Sequence, residues 1–280
     1  MATVMTLVVI TTTITTTTGM TRKRPLRASV RAHGVRELRK TAGPPAEAEP
    51  NAAGFDSGAL YRLLAWLSPS YPVGAFSYSS GIEWVVEAGD ITNADTLRQW
   101  IGSVMANGSG FCDAVFFRHA HAATEVGDMT MLREVAELAA AFTPSKERHL
   151  ETTAQGRAFL DTTRAAWPCG ALDDFVTAWP GPYAYPVAVA VAAAGHGIPC
   201  APALHAYLHA LVANMVLAGV RLIPLGQTDG QRTLAALATS TVGTAERAAM
   251  TSLDDVGSAT FRSDIASMRH ETQYTRLFRS

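Results

Sequence analysis

Two histidines four residues apart are the clearest candidates for chemistry in this sequence. His205 and His209 would lie on one face of a helix, as the zinc-binding histidines of an HExxH motif do. Ala206 stands where that motif has glutamate, and no third ligand has a characteristic spacing. We therefore expect structural roles for both, with a metal-dependent hydrolase that adds a distant carboxylate as the alternative.

A second histidine pair, His119 and His121, has a spacing of two residues. A helix turns by about 100° per residue, so these two side chains would point roughly 200° apart. We do not expect them to share a metal ion.

No other motif assembles the groups that catalysis needs. Ser77 and Ser79 lie near glycines but lack the GxSxG spacing. The segment 224–230, PLGQTDG, lacks the Lys-Ser/Thr pair of a phosphate-binding loop. The adjacent Asp173 and Asp174 suit a solvated helix start better than an acid–base pair. The sequence therefore predicts a protein that is not an enzyme.

The segment 68–84, SPSYPVGAFSYSSGIEW, carries more aromatic residues than an ordinary connector. Tyr71, Phe76 and Tyr78 stand among stiff prolines and turn-forming glycines. Rigid loops with aromatic side chains lose little entropy on docking and are common binding surfaces. The segment is either a partner-binding loop or only a connector between two helices.

Residues 145–160 predict a helix with a charged stripe that includes Lys146 and Arg148. A solvated face with ion pairs at i,i+4 spacing is the simplest interpretation. Gly156 would cost this helix about 1 kcal/mol relative to alanine. That cost is understandable if another backbone approaches closely there.

The last thirteen residues, MRHETQYTRLFRS, are unusually rich in types that anchor protein interfaces. The residues concerned are Arg269, His270, Tyr274, Arg276, Phe278 and Arg279. Chain ends usually fray and carry little information. This composition therefore indicates either a partner-binding tail or a tail that folds back on its own domain.

The composition is that of a globular protein without a nucleic-acid-binding field. Of the 280 residues, 48% are hydrophobic, and the net charge is −1. Eight of the 23 basic residues but only three of the 24 acidic ones lie in positions 1–50, so the remainder is acidic. An acidic body lacks the basic surface that nucleic acid demands. Three widely spaced cysteines form no CxxC pair and suit the reducing cytoplasm.

Residues 1–54 are predicted to be a disordered or non-core extension. They pass from threonine-rich to basic to Pro/Ala/Glu-rich sequence, which buries too little apolar area to offset ordering entropy. Arg22, Lys23 and Arg24 follow the apolar run, whereas a secretory signal has its basic residues first. A start at Met20 and a transit peptide are the alternatives.

From residue 55 onward the hydrophobic spacing is helical almost throughout, which predicts an all-α fold. Predicted helix starts are Asp56 or Ser57, Ile82, Thr92 or Asn93, Phe111, Asp128, Pro144, Pro186, Pro202, Gln227 and Asp264. The run 203–223 is nearly long enough to cross a membrane. The polar residues His205, His209 and Asn214 inside it favour a buried core helix.

Four segments together resemble the urease accessory protein F (UreF) family: residues 63–91, 185–198, 220–237 and 264–280. Within them, PVGAFSYS and RLIPLGQ are specific in combination, and the resemblance extends over residues 59–280. Tyr71 departs from the leucine that usually precedes this proline. The first fifty or so residues have no counterpart in the family pattern.

The resemblance implies an all-α, cytoplasmic, non-catalytic chaperone without an intrinsic cofactor. Family members dimerise and bind UreD, also called UreH; that complex recruits the GTPase UreG, and the assembly delivers nickel to apo-urease. Nickel cation binding and GTP hydrolysis then belong to the assembled complex. Neither nucleic acid nor a membrane is an expected partner. The rival is a helical binding module unrelated to urease.

The expected organisation is an extension at 1–54, a helical domain at 55–250, and a C-terminal helix and tail at 251–280 that dock onto a partner. We expect the tail to be mobile until it binds UreD, and the small residues of 188–194 to contribute apolar surface for a dimer. The segment 68–84 and the charged helix are expected to meet UreG. The expected partner-binding residues are Tyr71, Phe76, Tyr78, Glu83, Lys146, Arg148, Arg221, Gln227, Arg269, His270, Tyr274, Arg276, Phe278 and Arg279.

Overall fold

The computed structural model describes residues 56–279, and all regular structure in that range is helical. The predicted extension 1–54 lies outside the described residues. The helices are α1 Ser57–Trp66, α2 Ile82–Glu87, α3 Ala94–Asn107, α4 Ser109–Val126, α5 Met129–Ala141, α6 Lys146–Ala166, α7 Gly170–Ala178, α8 Tyr185–Gly195, α9 Cys200–Leu222, α10 Gln227–Ala249 and α11 Phe261–His270, with a 3₁₀ turn at Ala75–Ser77. The predicted all-α fold is confirmed.

Helix starts follow local capping chemistry. The side chains of Asp56, Asn93 and Asp128 accept backbone N–H bonds at the starts of α1, α3 and α5, as predicted. The prediction that Pro144 occupies the first turn of α6 is wrong. Ser145 is the N-cap of that helix, because its hydroxyl satisfies a backbone N–H of the first turn, and the proline precedes it.

Helix α8 forms the centre of the core. Its residues 187–193 read VAVAVAA, and all seven are fully buried. It is wrapped by α4, α6, α7 and α9. The small residues of 188–193 are therefore not available as dimer surface, and the expectation placed on them is wrong. Small side chains there let surrounding helices pack close to a buried axis.

Gly156 lies where α6 passes the segment leading into α8. A Cβ atom added at this glycine would overlap the carbonyl oxygen of Tyr183. The predicted close approach of another backbone is confirmed. The helix accepts the conformational cost of glycine because no side chain fits between the two backbones.

Helix α9 is the single described helix long and apolar enough to cross a bilayer by length and composition. Half of the most apolar 18-residue stretch of this helix is buried inside the protein. It packs against α10 and also contacts α4 and α8. These contacts agree with the predicted core helix.

Candidate partner-binding surface

The C-terminal tail folds back onto its own domain. The backbone N–H groups of Leu277 and Phe278 donate to the two carboxylate oxygens of Glu83, at 2.6 and 2.9 Å. The Phe278 side chain is 4% exposed. The expectation that the tail is mobile in the free chain is wrong, because a buried ring and a buried carboxylate hold it in place.

Four charged side chains, Glu83, Glu147, His270 and Arg276, form a cluster that we call the tail latch. The His270 ring is fully buried, with Nε2 3.0 Å from a Glu83 oxygen and Nδ1 2.6 Å from a Glu147 oxygen. The other Glu147 oxygen accepts from Arg276 at 2.8 Å. Since an ionised carboxylate can only accept hydrogen bonds, a doubly protonated ring satisfies both contacts. Two negative and two positive charges then balance.

Arg221 joins the aromatic segment to the tail. Its guanidinium carbon lies 3.8 Å from the centroid of the Phe76 ring and 4.2 Å from that of Phe278. One of its nitrogens also donates to the Phe76 carbonyl at 2.7 Å, and the Arg279 N–H donates to the Ser77 carbonyl at 2.7 Å. A guanidinium held between two rings gains cation–π attraction on both faces. The structure thus brings together residues that the sequence only suggested separately.

Arg148 belongs to the interior rather than to the charged outer stripe. One of its nitrogens donates to the Ser80 hydroxyl at 2.7 Å and also pairs with the Glu151 carboxylate. Burial lowers the pKa of Arg148, but Glu151 and Asp113 outweigh it, and the pKa lies above its ordinary value. This arginine stabilises the buried polar face of α6 and is not positioned to meet a partner.

Tyr78, Glu83, His270 and Phe278 are likewise buried, so the expectation that they contact a partner directly does not hold for the isolated chain. Tyr71 is half-buried; its hydroxyl bonds to Thr163 of α6 at 2.8 Å. The predicted residues that remain exposed are Phe76, Lys146, Gln227, Arg269, Tyr274, Arg276 and Arg279. Gln227 opens α10.

Helix α11 has an inverted pattern of burial. Its large apolar residues Phe261, Ile265 and Met268 are 74, 50 and 48% exposed, whereas Ala266 and Ser267 are buried. The buried side of α11 lies close to Gly81, the N-cap of α2, where a Cβ would lie 2.9 Å from the Ser267 nitrogen. The two helices can therefore approach only through small side chains.

The tail adds two further large exposed apolar residues. Tyr274 is fully exposed and Leu277 is 58% exposed, close after the end of α11. We call Phe261, Ile265, Met268, Tyr274 and Leu277 the C-terminal surface. A group of large exposed apolar residues near arginines is typical of protein-binding surfaces. The spacing of the first three residues could have revealed the stripe, but spacing alone does not say which face points outward.

The histidines considered for chemistry lie apart from this surface. His205 and His209 are exposed and line a groove of about 190 Å³ between α9 and α10. Within residues 56–279, no three His, Cys, Asp or Glu side chains are grouped to hold a metal ion. His121 bonds to the Ile198 carbonyl and His119 to the Thr251 carbonyl, so each faces a different neighbour.

The fold and the C-terminal surface define an all-helical protein in which buried charges hold the chain end in place. Comparison with known families gives a match to UreF over residues 91–238. The chain belongs to the UreF family of urease accessory proteins, which is an accessory rather than an enzyme family.

The similar relatives include three proteins named urease accessory protein UreF. That of Bradyrhizobium diazoefficiens is 61% identical over 228 residues, 81% of this chain and 94% of the relative. That of Bradyrhizobium sp. strain ORS 278 is 62% identical over 232 residues, 82% and 96% of the two chains. That of Rhodopseudomonas palustris strain HaA2 is 59% identical over 238 residues, 85% and 100% of the two chains.

Proposed function

We propose that this urease accessory protein acts in nickel insertion into apo-urease by binding UreD through its C-terminal surface. The inverted burial of α11 carries the proposal: a helix that exposes phenylalanine, isoleucine and methionine leaves apolar area for a partner to cover. The tail latch supports it, because bonds at His270, Arg276 and Leu277 order the segment that carries Tyr274 and Leu277 before binding. A preorganised surface loses less entropy on association.

UreG is the second proposed partner, recruited to the complex with UreD. Of the residues first expected to meet it, Phe76 and Lys146 are exposed. Phe76 lies on Arg221 and therefore next to the tail, so recruitment of UreG would depend on an ordered tail.

We also propose dimerisation. The exposed residues Leu60, Tyr61 and Leu64 on α1 supply apolar area for it in place of α8. The proposed location is the cytoplasm.

The double variant Phe261→Ser/Ile265→Ser tests the UreD proposal. Both side chains are largely exposed, so the melting temperature should stay nearly unchanged. UreD affinity should fall by about thirtyfold or more, since an interface anchor contributes about 2 kcal/mol. A pull-down with UreD and a thermal melt on the same protein provide the two measurements.

Met250→Ser is the matched control, because Met250 is 87% exposed and lies outside the C-terminal surface. Its UreD binding should equal that of the unmodified chain. Undiminished binding by the double variant, or an equal loss in the control, would reject the assignment of this surface. A Phe76→Ala variant in the same assay with UreG separates the second partner from the first.

A further inference from the structure

A cavity of about 320 Å³ opens between α4, α6 and α11, apart from the C-terminal surface. Phe116 and Phe142 form part of an apolar wall, their rings edge to face with centroids 5.7 Å apart. Asp113, Arg148 and Asp264 line the polar side. A mostly apolar cavity with a few convergent polar groups is the usual form of a small-ligand site.

The polar side carries more negative than positive charge. Arg148 is already paired with Glu151, as described above. Asp264 makes no side-chain hydrogen bond and no ion pair within residues 56–279, and Asp113 makes one hydrogen bond, accepted from the Tyr207 hydroxyl at 2.9 Å. Arg148 acts electrostatically on Asp113 and Asp264 as well as on Glu151, so these three carboxylates share one guanidinium.

Both carboxylates are held in unfavourable surroundings. Burial raises the pKa of Asp113 to about 6, and the opposing effects of Arg148 and the Tyr207 hydrogen bond do not cancel it. Burial likewise raises the pKa of Asp264. At neutral pH the Asp113 carboxylate is ionised at a cost in free energy that a bound cation would offset.

A metal ion fits this cavity poorly. Within residues 56–279, no three metal-ligating side chains are grouped here or elsewhere. Burial raises the pKa of Cys112, the remaining candidate ligand, to about 12, and its thiol donates to the Gly257 carbonyl at 3.4 Å. A protonated thiol does not ligate soft metals. A larger cation that can reach separated carboxylates is the better match.

We propose that this cavity binds a small alkylammonium group, with the ammonium between Asp113 and Asp264 and the alkyl chain against Phe116 and Phe142. An ammonium has three donors and no acceptor, which suits two carboxylates. The alkyl chain would cover apolar surface that is otherwise in contact with water. The group could belong to a free amine or to a lysine side chain of another protein.

The test is calorimetric titration of the full chain with n-pentylammonium, with pentan-1-ol as the neutral analogue. A third ligand, Nα-acetyl-lysine amide, represents the side-chain source. We expect at least one of the two ammonium compounds to bind and pentan-1-ol to bind about tenfold more weakly or not at all. Equal affinity for the alcohol, or no binding by either ammonium compound, would overturn the proposal.

Asp113→Asn and Asp264→Asn should each weaken ammonium binding about tenfold, while Asp161→Asn, in an exposed ion pair, should leave it unchanged. Thermal melts show whether each variant folds, and Asp264→Asn provides the test if Asp113→Asn does not. Undiminished affinity in the folded variants overturns the proposal.

Binding should also weaken as the pH falls from 7.5 to 5.5, since a cation binds the ionised form of Asp113. The charged or titratable groups around Asp113 are Cys112, Arg148, Glu151, Tyr207 and Asp264. Arginine stays charged, and burial raises the pKa of Tyr207, so these two do not titrate in that window. Affinity that is independent of pH would count against the placement of the ammonium at Asp113.

Discussion

The two halves of α6 are buried by opposite means. Its C-terminal half packs Phe159 and Leu160 into the apolar core and lets a backbone segment pass at Gly156. Its N-terminal half buries Glu147 and Glu151, which find partners on α11, on the tail, at Ser80 before α2 and within the helix. In the C-terminal half, the close backbone at Gly156 limits which side chains fit. In the N-terminal half, stability depends on which residues pair with Glu147 and Glu151.

The difference lies in what each contact tolerates. An apolar contact accepts many residue types provided that the volume is right, but it fails when atoms overlap. A buried charge cluster tolerates the loss of one partner poorly, since the remaining charge is then buried and unpaired. Substitutions within the tail latch should therefore have coupled effects on stability. Substitutions in the apolar half of α6 should have independent effects.

The largest effect should come from Gly156→Ala. The new Cβ would overlap the Tyr183 carbonyl, so α6 and the start of α8 must separate, and we expect a loss of about 3 kcal/mol in the free energy of unfolding. Urea denaturation measures it. Gly243→Ala is the control: no atom lies within 4 Å of its added Cβ, and α10 should gain about 1 kcal/mol. Equal changes in the free energy of unfolding for the two variants would show that the close backbone does not limit this contact.

The tail latch should give the next largest effect. Glu83→Gln and His270→Gln should each cost about 2 kcal/mol, and the double variant should cost less than their sum by at least about 1 kcal/mol. Hydrogen exchange at the Leu277 and Phe278 amides should speed up in all three proteins. The exposed pair Arg157–Asp161 is the reference, and its coupling should be much smaller than that of the latch because solvent screens it. Strict additivity at the latch would contradict a cluster that acts as a unit.

Arg221→Lys should have the smallest effect of the three, and it tests the contact of Arg221 with the two aromatic rings. Lysine keeps the charge but loses the planar contact with Phe76 and Phe278, for an expected loss of about 1 kcal/mol. Arg232→Lys, in an exposed pair with Asp229, should change stability by less than about 0.5 kcal/mol. The same denaturation assay compares them, and indistinguishable values would mean that the two rings add nothing to a simple charge.

Much of the fold could be predicted from local chemistry. Asp56, Asn93 and Asp128 cap helices by bonding backbone groups two or three residues away, so the information lies within one turn. Helix α7 was not among the predicted helices, because it spans only nine residues and no side chain caps it. Helix α11 begins at Phe261 rather than Asp264 for the same reason, since Thr260 forms no side-chain cap.

The expected partner-binding residues were chosen by residue type, and the sequence did not show which of them are exposed. Only Tyr274 of the C-terminal surface was among them. Spacing identifies neighbours only within one element. Whether Glu83 faces solvent depends on His270 and on backbone groups of the tail, which are distant in the chain. The aromatic and charged residues of the tail are of types that suit interfaces between proteins. Several of them instead pack against their own domain.

The tail latch also bears on the order in which the protein is made. Glu83 bonds to groups 187 to 195 positions later in the sequence. Contacts of such separation close late, because the loop entropy between them opposes early formation. During synthesis, Glu83 and Glu147 remain without these partners until residues 270–278 have been made. A chain truncated before His270 would therefore leave two acidic side chains uncompensated at the surface that the tail otherwise covers.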